Sequence, residues 1–278
     1  MTENHGTRGE QALLKSWLAT AAELYPAAVL KELGLYQPAR HGIRPPLPHE
    51  QGLGVRFSRS YPFPAFTTDP EMPPDPRAEA FERFVRPLAA PAFDEAFEVL
   101  RQYLGARSRV LDVYCGLGET TRIMTPMVPD GEVVGVEPEP ALLQEAFQRT
   151  REVGLGNVAF FQGTSEDLPE DFERAFDVVF VPLSLHTYPD LTAMAGELFR
   201  VCGREAYVFI IEPSPAWYQR ASETLQASIG EPTRGETEPS HDPFPQAGAL
   251  ESSLGAAGFA HYCWEELLPD IGLHVAMK

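Results

Sequence analysis

The chain has 278 residues, enough for one large domain or a core with a sizeable extension, and its 44% apolar content fits a soluble globular protein. Forty acidic against 22 basic residues leave a net charge of −18, which repels phosphate backbones and anionic lipid and argues against nucleic acid or membrane surfaces as partners. No apolar run reaches the roughly eighteen residues of a membrane span, the start MTENHGTRGE has no apolar leader, and Cys115, Cys202 and Cys263 lack CxxC spacing, so a cytoplasmic protein without disulfides or a zinc site is expected, its cysteines buried as small apolar residues.

Residues 9–34 read as helix, because Leu13, Leu14, Trp17, Leu18, Ala21 and Leu24 recur at three- and four-residue spacing, with a break at Pro26. Gln37 to Gly54, rich in Pro and Gly, is expected to be loop or extended structure. Residues 55–76 combine many prolines with Phe57, Tyr61, Phe63 and Phe66, an aromatic density foreign to disordered linkers. An ordered loop is expected there, either a lid over a pocket or an arm packed on the core. From Pro76 to Leu104 the helical pattern returns through Phe81, Phe84, Val85, Leu88, Phe93, Phe97, Leu100 and Leu104. Pro87 and Pro91 mark a kink or junction, and Gly105 a stop. Residues 1–100 thus form an N-terminal helical and Pro-rich extension, and 101–278 the main domain.

Beyond Gly105 strands alternate with helices. The strands are Arg109–Tyr114, Glu132–Glu137, Val158–Phe161, Asp177–Pro182 and Tyr207–Glu212, with two more near Ala260–Glu265 and Gly272–Ala276. Between them lie helices over Thr120–Met127, Pro140–Val153, Leu191–Val201, around Trp217–Ile229, and over Ala247–Ala257. Short apolar runs separated by helices predict an α/β fold: a Rossmann-like, doubly wound, mostly parallel seven-stranded sheet covered on both faces.

In such sheets ligands bind at the carboxyl ends of the strands, where the strand order reverses. VLDVYCGLGETT, Val110 to Thr121, sits there, and Gly116 and Gly118 allow unusual backbone angles and close approach of a ligand. The following helix start offers free N–H groups. A dinucleotide fingerprint would need Gly at the position of Thr121, and Asp112 would repel a pyrophosphate. A carboxylate there suits a ligand with a positive centre and an amino group, and S-adenosylmethionine has both. Glu137 ends the next strand twenty-one positions after Gly116, where a carboxylate accepts hydrogen bonds from ribose hydroxyls.

With these residues in place the sequence resembles the class I S-adenosylmethionine-dependent methyltransferases, in the branch of ubiquinone/menaquinone-type and small-molecule methyltransferases. VLDVYCGLG matches the glycine-rich motif, with Tyr114 where the family has Gly. VVGVEPEP matches the ribose strand. FQGTSEDLP, Phe161 to Pro169, matches the adenine loop, with Thr164 in place of Asp. FDVVFVPLSLHTYPD, Phe176 to Asp190, matches the motif of the family's fourth strand, and GELFRVCGREAYVFIIEPS, Gly196 to Ser214, its fifth. The resemblance implies that Asp112 and the backbone of Tyr114, Cys115, Gly116 and Gly118 hold the methionine moiety. It implies that Glu137 binds the ribose, Pro138 packs by the adenosine, Gly163, Thr164 and Ser165 border the adenine, and Val181 and Leu183 lie beside the sulfonium. Thr164, a neutral acceptor, is expected to bind adenine more weakly than Asp.

The resemblance implies methyl transfer to a small organic molecule, with His186 as the candidate base and Tyr188, Glu212, Tyr218 and His241 as weaker ones. His186 equally suits a packing role at the strand end. The remaining histidines are read as surface or packing residues. Trp217, Tyr218 and Phe244 are candidates for acceptor contacts or for packing, and Phe81 stands where relatives often place a Tyr. The chief alternative is a non-catalytic cofactor-binding module acting through a partner, which Tyr114, Thr164 and Phe81 favour and Asp112, Gly116, Gly118 and Glu137 oppose. A nicotinamide oxidoreductase is opposed by Asp112 and the missing third glycine. A protein methyltransferase recruiting a basic substrate is a further alternative.

Overall fold

The computed structural model describes residues 40–42, 44–45, 80–184, 190–229 and 247–278. The helix expected over 9–34 and the aromatic loop over 55–76 lie outside the described residues, as do His186, Tyr188, His241 and Phe244.

Strand β1 is Arg40–Gly42, followed later by a π-turn over Phe81–Val85 and helix α1, Arg86–Leu100. Then come β2 Arg109–Val113, α2 Glu119–Met124 with a 3-10 turn over Thr125–Met127, β3 Glu132–Glu137, α3 Pro140–Glu152 and β4 Val158–Gln162. The chain continues through β5 Phe176–Pro182, α4 Leu191–Val201, β6 Cys202–Pro213, α5 Pro215–Ile229, α6 Ala247–Ala257, β7 His261–Leu268 and β8 Ile271–Met277.

These strands form one sheet in the order β1-β7-β8-β6-β5-β2-β3-β4. Strands β2 to β6 run parallel, and β8, β7 and β1 are added antiparallel. The order reverses between β2 and β5, which pair through Val110↔Val178, Leu111↔Val179 and Asp112↔Phe180. Alternate residues of each central strand enter separate cores, so both faces are covered and the strands read as continuous apolar runs. On one face Val110, Phe180 and Phe209 pack with Phe93, Phe97 and Leu100 of α1 and with Trp217 of α5. On the other, Leu111, Val181 and Ile210 pack with Met194 and Leu198 of α4 and Leu254 of α6. The Phe97 and Phe180 rings stack at 5.6 Å. All three cysteines are buried, as expected.

Local chemistry fixes the helix ends. Asp190 accepts from the Thr192 and Ala193 N–H groups at 2.8 and 3.2 Å, an N-cap for α4. Lys278 Nζ donates to the carbonyls of Phe199 and Cys202 at 2.7 and 2.9 Å, satisfying acceptors at the other end of α4. Arg86 and Glu119 form an ion pair that ties the start of α1 to the start of α2.

Two expectations need correction. The sheet has eight strands, not seven: β1 arises inside the Pro- and Gly-rich segment and pairs with β7 through Arg40↔Glu265, His41↔Trp264 and Gly42↔Cys263. Three residues are too few for an alternating pattern to be read. Gly42 also lies so close to its neighbour that a Cβ there would stand 2.5 Å from the Tyr262 carbonyl oxygen. The junction expected at Pro87 and Pro91 falls earlier, in the π-turn, and α1 runs through Pro91 to Leu100. Pro87 sits in the first turn of α1, where a missing N–H costs nothing.

Candidate functional site

Asp112 is carried by the centre of the sheet and has no exposed surface. Its Oδ2 accepts from the hydroxyls of Thr120 at 2.7 Å and Thr121 at 2.5 Å, both from the first turn of α2. Its Oδ1 is buried with no hydrogen-bond partner among the described residues. Burial pushes the Asp112 carboxyl up to about 7, the Thr121 and Thr120 hydroxyls pull the other way, and the charge of Glu137 adds to the rise. A fully buried carboxylate oxygen without a donor is costly unless a ligand supplies one.

The chain leaves β2 through a turn in which Tyr114, Gly116 and Gly118 have φ of 57°, 54° and 69°. Both glycines take the left-handed region, but only one leaves space. A Cβ on Gly116 would meet nothing within 4 Å, whereas one on Gly118 would lie 2.9 Å from Ala146 Cβ and 3.1 Å from the Phe160 ring. Gly118 therefore serves helix and strand packing, and Gly116 borders open space. Tyr114 adopts the same left-handed backbone with a side chain, a strained conformation of the kind that gathers at ligand sites.

Glu137, at the end of β3, joins this turn directly. Its Oε2 accepts from the Gly116 N–H at 3.0 Å and its Oε1 from the Glu139 N–H at 3.1 Å. Two further lone-pair directions stay available on the carboxylate. Burial raises its pKa, countered by the Glu139 and Gly116 N–H groups. Asp112, Cys115, Gly116 and Glu137 are thus one cluster, in which the Cys115 thiol is pushed up by burial and then by the two carboxylates. The loop after β4 is drawn in by the Gly163 N–H, which donates to the Glu137 carbonyl at 3.3 Å. Thr164 bridges to Asp167, and the buried Ser165 hydroxyl bonds Glu166 at 3.0 Å. Pro138 is half-buried, and its carbonyl accepts from Gln162.

Val181 is buried in β5, and Leu183 follows it with φ of 49°. The Leu183 carbonyl accepts from the Tyr218 hydroxyl at 2.6 Å. Trp217 lies in the core at 5% exposure, and Glu212 is half-buried near the end of β6. His274 is buried against the Tyr262 hydroxyl at 2.7 Å, a packing role as expected. Sequence reasoning missed Thr120 and Thr121 as partners of Asp112. No local pattern marked them: Thr121 reads only as the residue that breaks the dinucleotide fingerprint, and both threonines suit an ordinary helix start.

A cationic, amino-bearing cofactor such as S-adenosylmethionine fits these residues. Among the described residues Asp112 Oδ1 has no hydrogen-bond partner, Gly116 faces space, and the Glu137 carboxylate retains accepting capacity.

A sequence model described as a methyltransferase domain matches residues 104–244, just over half of the chain. The demethylmenaquinone methyltransferase of Lactococcus lactis subsp. lactis is 30% identical over 166 residues, 54% of this chain and 65% of that protein. That of Listeria monocytogenes is 28% identical over 130 residues, 45% of this chain and 54% of that protein. The chain thus spans less than two thirds of the curated relatives it matches. Among solved structures, Haemonchus contortus phosphoethanolamine N-methyltransferase 2 in complex with S-adenosyl-L-methionine aligns with a TM-score of 0.53 at 13% identity, over 66% of this chain and 52% of that one. The [4+2]-cyclase SpnF aligns at 0.51 and 20% identity, over 68% and 81%. These structural likenesses speak for the fold alone. The family match runs over β2 to β6 and takes in Asp112, Gly116, Glu137 and Leu183, and on it the chain belongs to the class I S-adenosylmethionine-dependent methyltransferases.

Proposed function

We propose that the chain transfers the methyl group of S-adenosylmethionine to a small organic molecule in the cytoplasm. The observation that carries this reading is the buried Asp112 Oδ1, without a hydrogen-bond partner among the described residues, beside a glycine turn held by Glu137. Asp112 and the Tyr114–Gly118 backbone take the methionine end, with Cys115 packed beneath, and Glu137 accepts from the ribose hydroxyls. Pro138 packs by the adenosine, Gly163, Thr164 and Ser165 border the adenine, and Leu183 faces the sulfonium, with Val181 packed in the core behind it. His186, outside the described residues, is the candidate to take a proton from the acceptor.

The cofactor, when bound, supplies a methyl carbon already activated by positive sulfur. The protein's share of the work is alignment and exclusion of water, and orientation alone is worth ~7–11 kcal/mol. A base such as His186 adds about 10²–10⁴-fold where the acceptor's proton must leave early. The acidic surface disfavours nucleic acid as acceptor.

The test is turnover. Purified protein is incubated with S-adenosylmethionine and a panel of quinol, phenol and amine acceptors, and S-adenosylhomocysteine is measured. Quinols come first, because the named relatives are demethylmenaquinone methyltransferases. Product formation well below the wild-type rate in Glu137→Ala at low cofactor concentration is expected. Tight cofactor binding without turnover on any acceptor would instead favour a non-catalytic module.

A further inference from the structure

Leu183 stands out among the strand ends. It is a leucine with φ of 49°, a backbone that places its Cβ close to its own carbonyl oxygen. Such a residue persists only where its surroundings hold it. Leu183 is held on both sides: its N–H donates to the Ile211 carbonyl in β6 at 2.9 Å, and its carbonyl accepts from Tyr218 Oη at 2.6 Å.

The donor is itself fixed. Tyr218 lies in the first turn of α5, where its N–H donates to the Ser214 carbonyl at 3.2 Å. Its ring packs edge-on against Trp217 at 5.5 Å, and Trp217 is buried in the core. The same helix packs on the π-turn Phe81–Val85. The parallel pairing of β2 and β5 runs to Asp112↔Phe180, and the strands end one and two residues later, at Val113 and Pro182, so the chain leaves both at the same edge of the sheet. Two left-handed side-chain-bearing residues, Tyr114 and Leu183, thus end adjacent strands at the point where the sheet order reverses.

We propose that Tyr218 is a positioning residue whose hydroxyl latches the Leu183 turn and so couples helix α5 to the sulfonium end of the cofactor site. This rests on the proposed function. Through the latch, any shift of α5 moves Leu183, and the wall of the site with it.

The experiment compares the wild type with Tyr218→Phe. Affinity for S-adenosylhomocysteine is measured by calorimetry, and amide exchange across the protein, Leu183 included, by hydrogen–deuterium NMR without ligand. Tyr218→Phe keeps the ring and removes the donor, so it is expected to weaken binding about fivefold and to speed Leu183 exchange about tenfold while the other amides of β6 and α5 keep their rates. Wild-type affinity and exchange in Tyr218→Phe would overturn the latch, as would faster exchange spread evenly over β6 and α5, the mark of a merely structural tyrosine. Failure of the wild type to bind S-adenosylhomocysteine would instead contradict the proposed function, and the positioning role with it.

Discussion

Asp112 is ionised only at the upper end of the physiological range, because burial pushes its carboxyl up to about 7. The sign follows. The folded protein holds this proton up to about 7 while the unfolded chain releases it near 3.8, so the group's contribution to stability is present at low pH and is lost as pH rises through that window. Thermal melts of the cofactor-free protein should therefore lose a declining component between about pH 4 and about pH 7 in Asp112→Asn. A cationic ligand has the opposite preference. Affinity for S-adenosylmethionine should rise with pH, towards tenfold per unit below the pKa, and the rise should vanish in Asp112→Asn when followed by calorimetry. Asp112 and Glu137 were legible in the sequence because each is a charge in an apolar strand. The hydroxyls that hold Asp112 were not, because Thr120 and Thr121 read as ordinary helix residues until the turn brings them over β2.

At the scale of elements, the two glycines of the turn separate binding from packing. Gly118→Ala should destabilise the fold by about 2–4 kcal/mol, since its Cβ would press on Ala146 and Phe160 in a left-handed backbone. Gly116→Ala should cost only the backbone strain, about 1–2 kcal/mol, yet weaken cofactor binding more than Gly118→Ala does. Chemical denaturation and calorimetry on the pair would show the split. The five parallel strands were legible because burial on both faces makes continuous apolar runs of them, and Glu132–Glu137 and Leu191–Val201 match residue for residue. β6 runs longer than expected, from Cys202 to Pro213, because its early residues Gly203, Arg204 and Glu205 carry no apolar pattern. β1 escaped for the same reason: an Arg-His-Gly strand is defined by its partner β7, not by its own side chains.

At the scale of the molecule, a charge of −18 makes the folded state repel itself. Raising salt from about 0.02 M to about 0.5 M should screen this and raise the melting temperature by a few degrees, as scanning calorimetry would record. Among the described residues no helix is long and apolar enough to cross a membrane. The α/β architecture and the cofactor class were both readable from motif order, whereas the acceptor is written in no local pattern. The acceptor side would be assembled from α5, the π-turn and segments distant in sequence, so its chemistry emerges only from their packing. The central claim is that the turn from Tyr114 to Gly118 holds S-adenosylmethionine, with Glu137 as its anchor. It is tested most directly by calorimetric titration of the wild type and Glu137→Ala with S-adenosylhomocysteine, with NAD as control. Saturable binding weakened roughly 10- to 100-fold in the variant, as expected for lost charge-assisted hydrogen bonds, is the predicted result. Binding of NAD in place of S-adenosylhomocysteine, or affinity unchanged in Glu137→Ala, would contradict it.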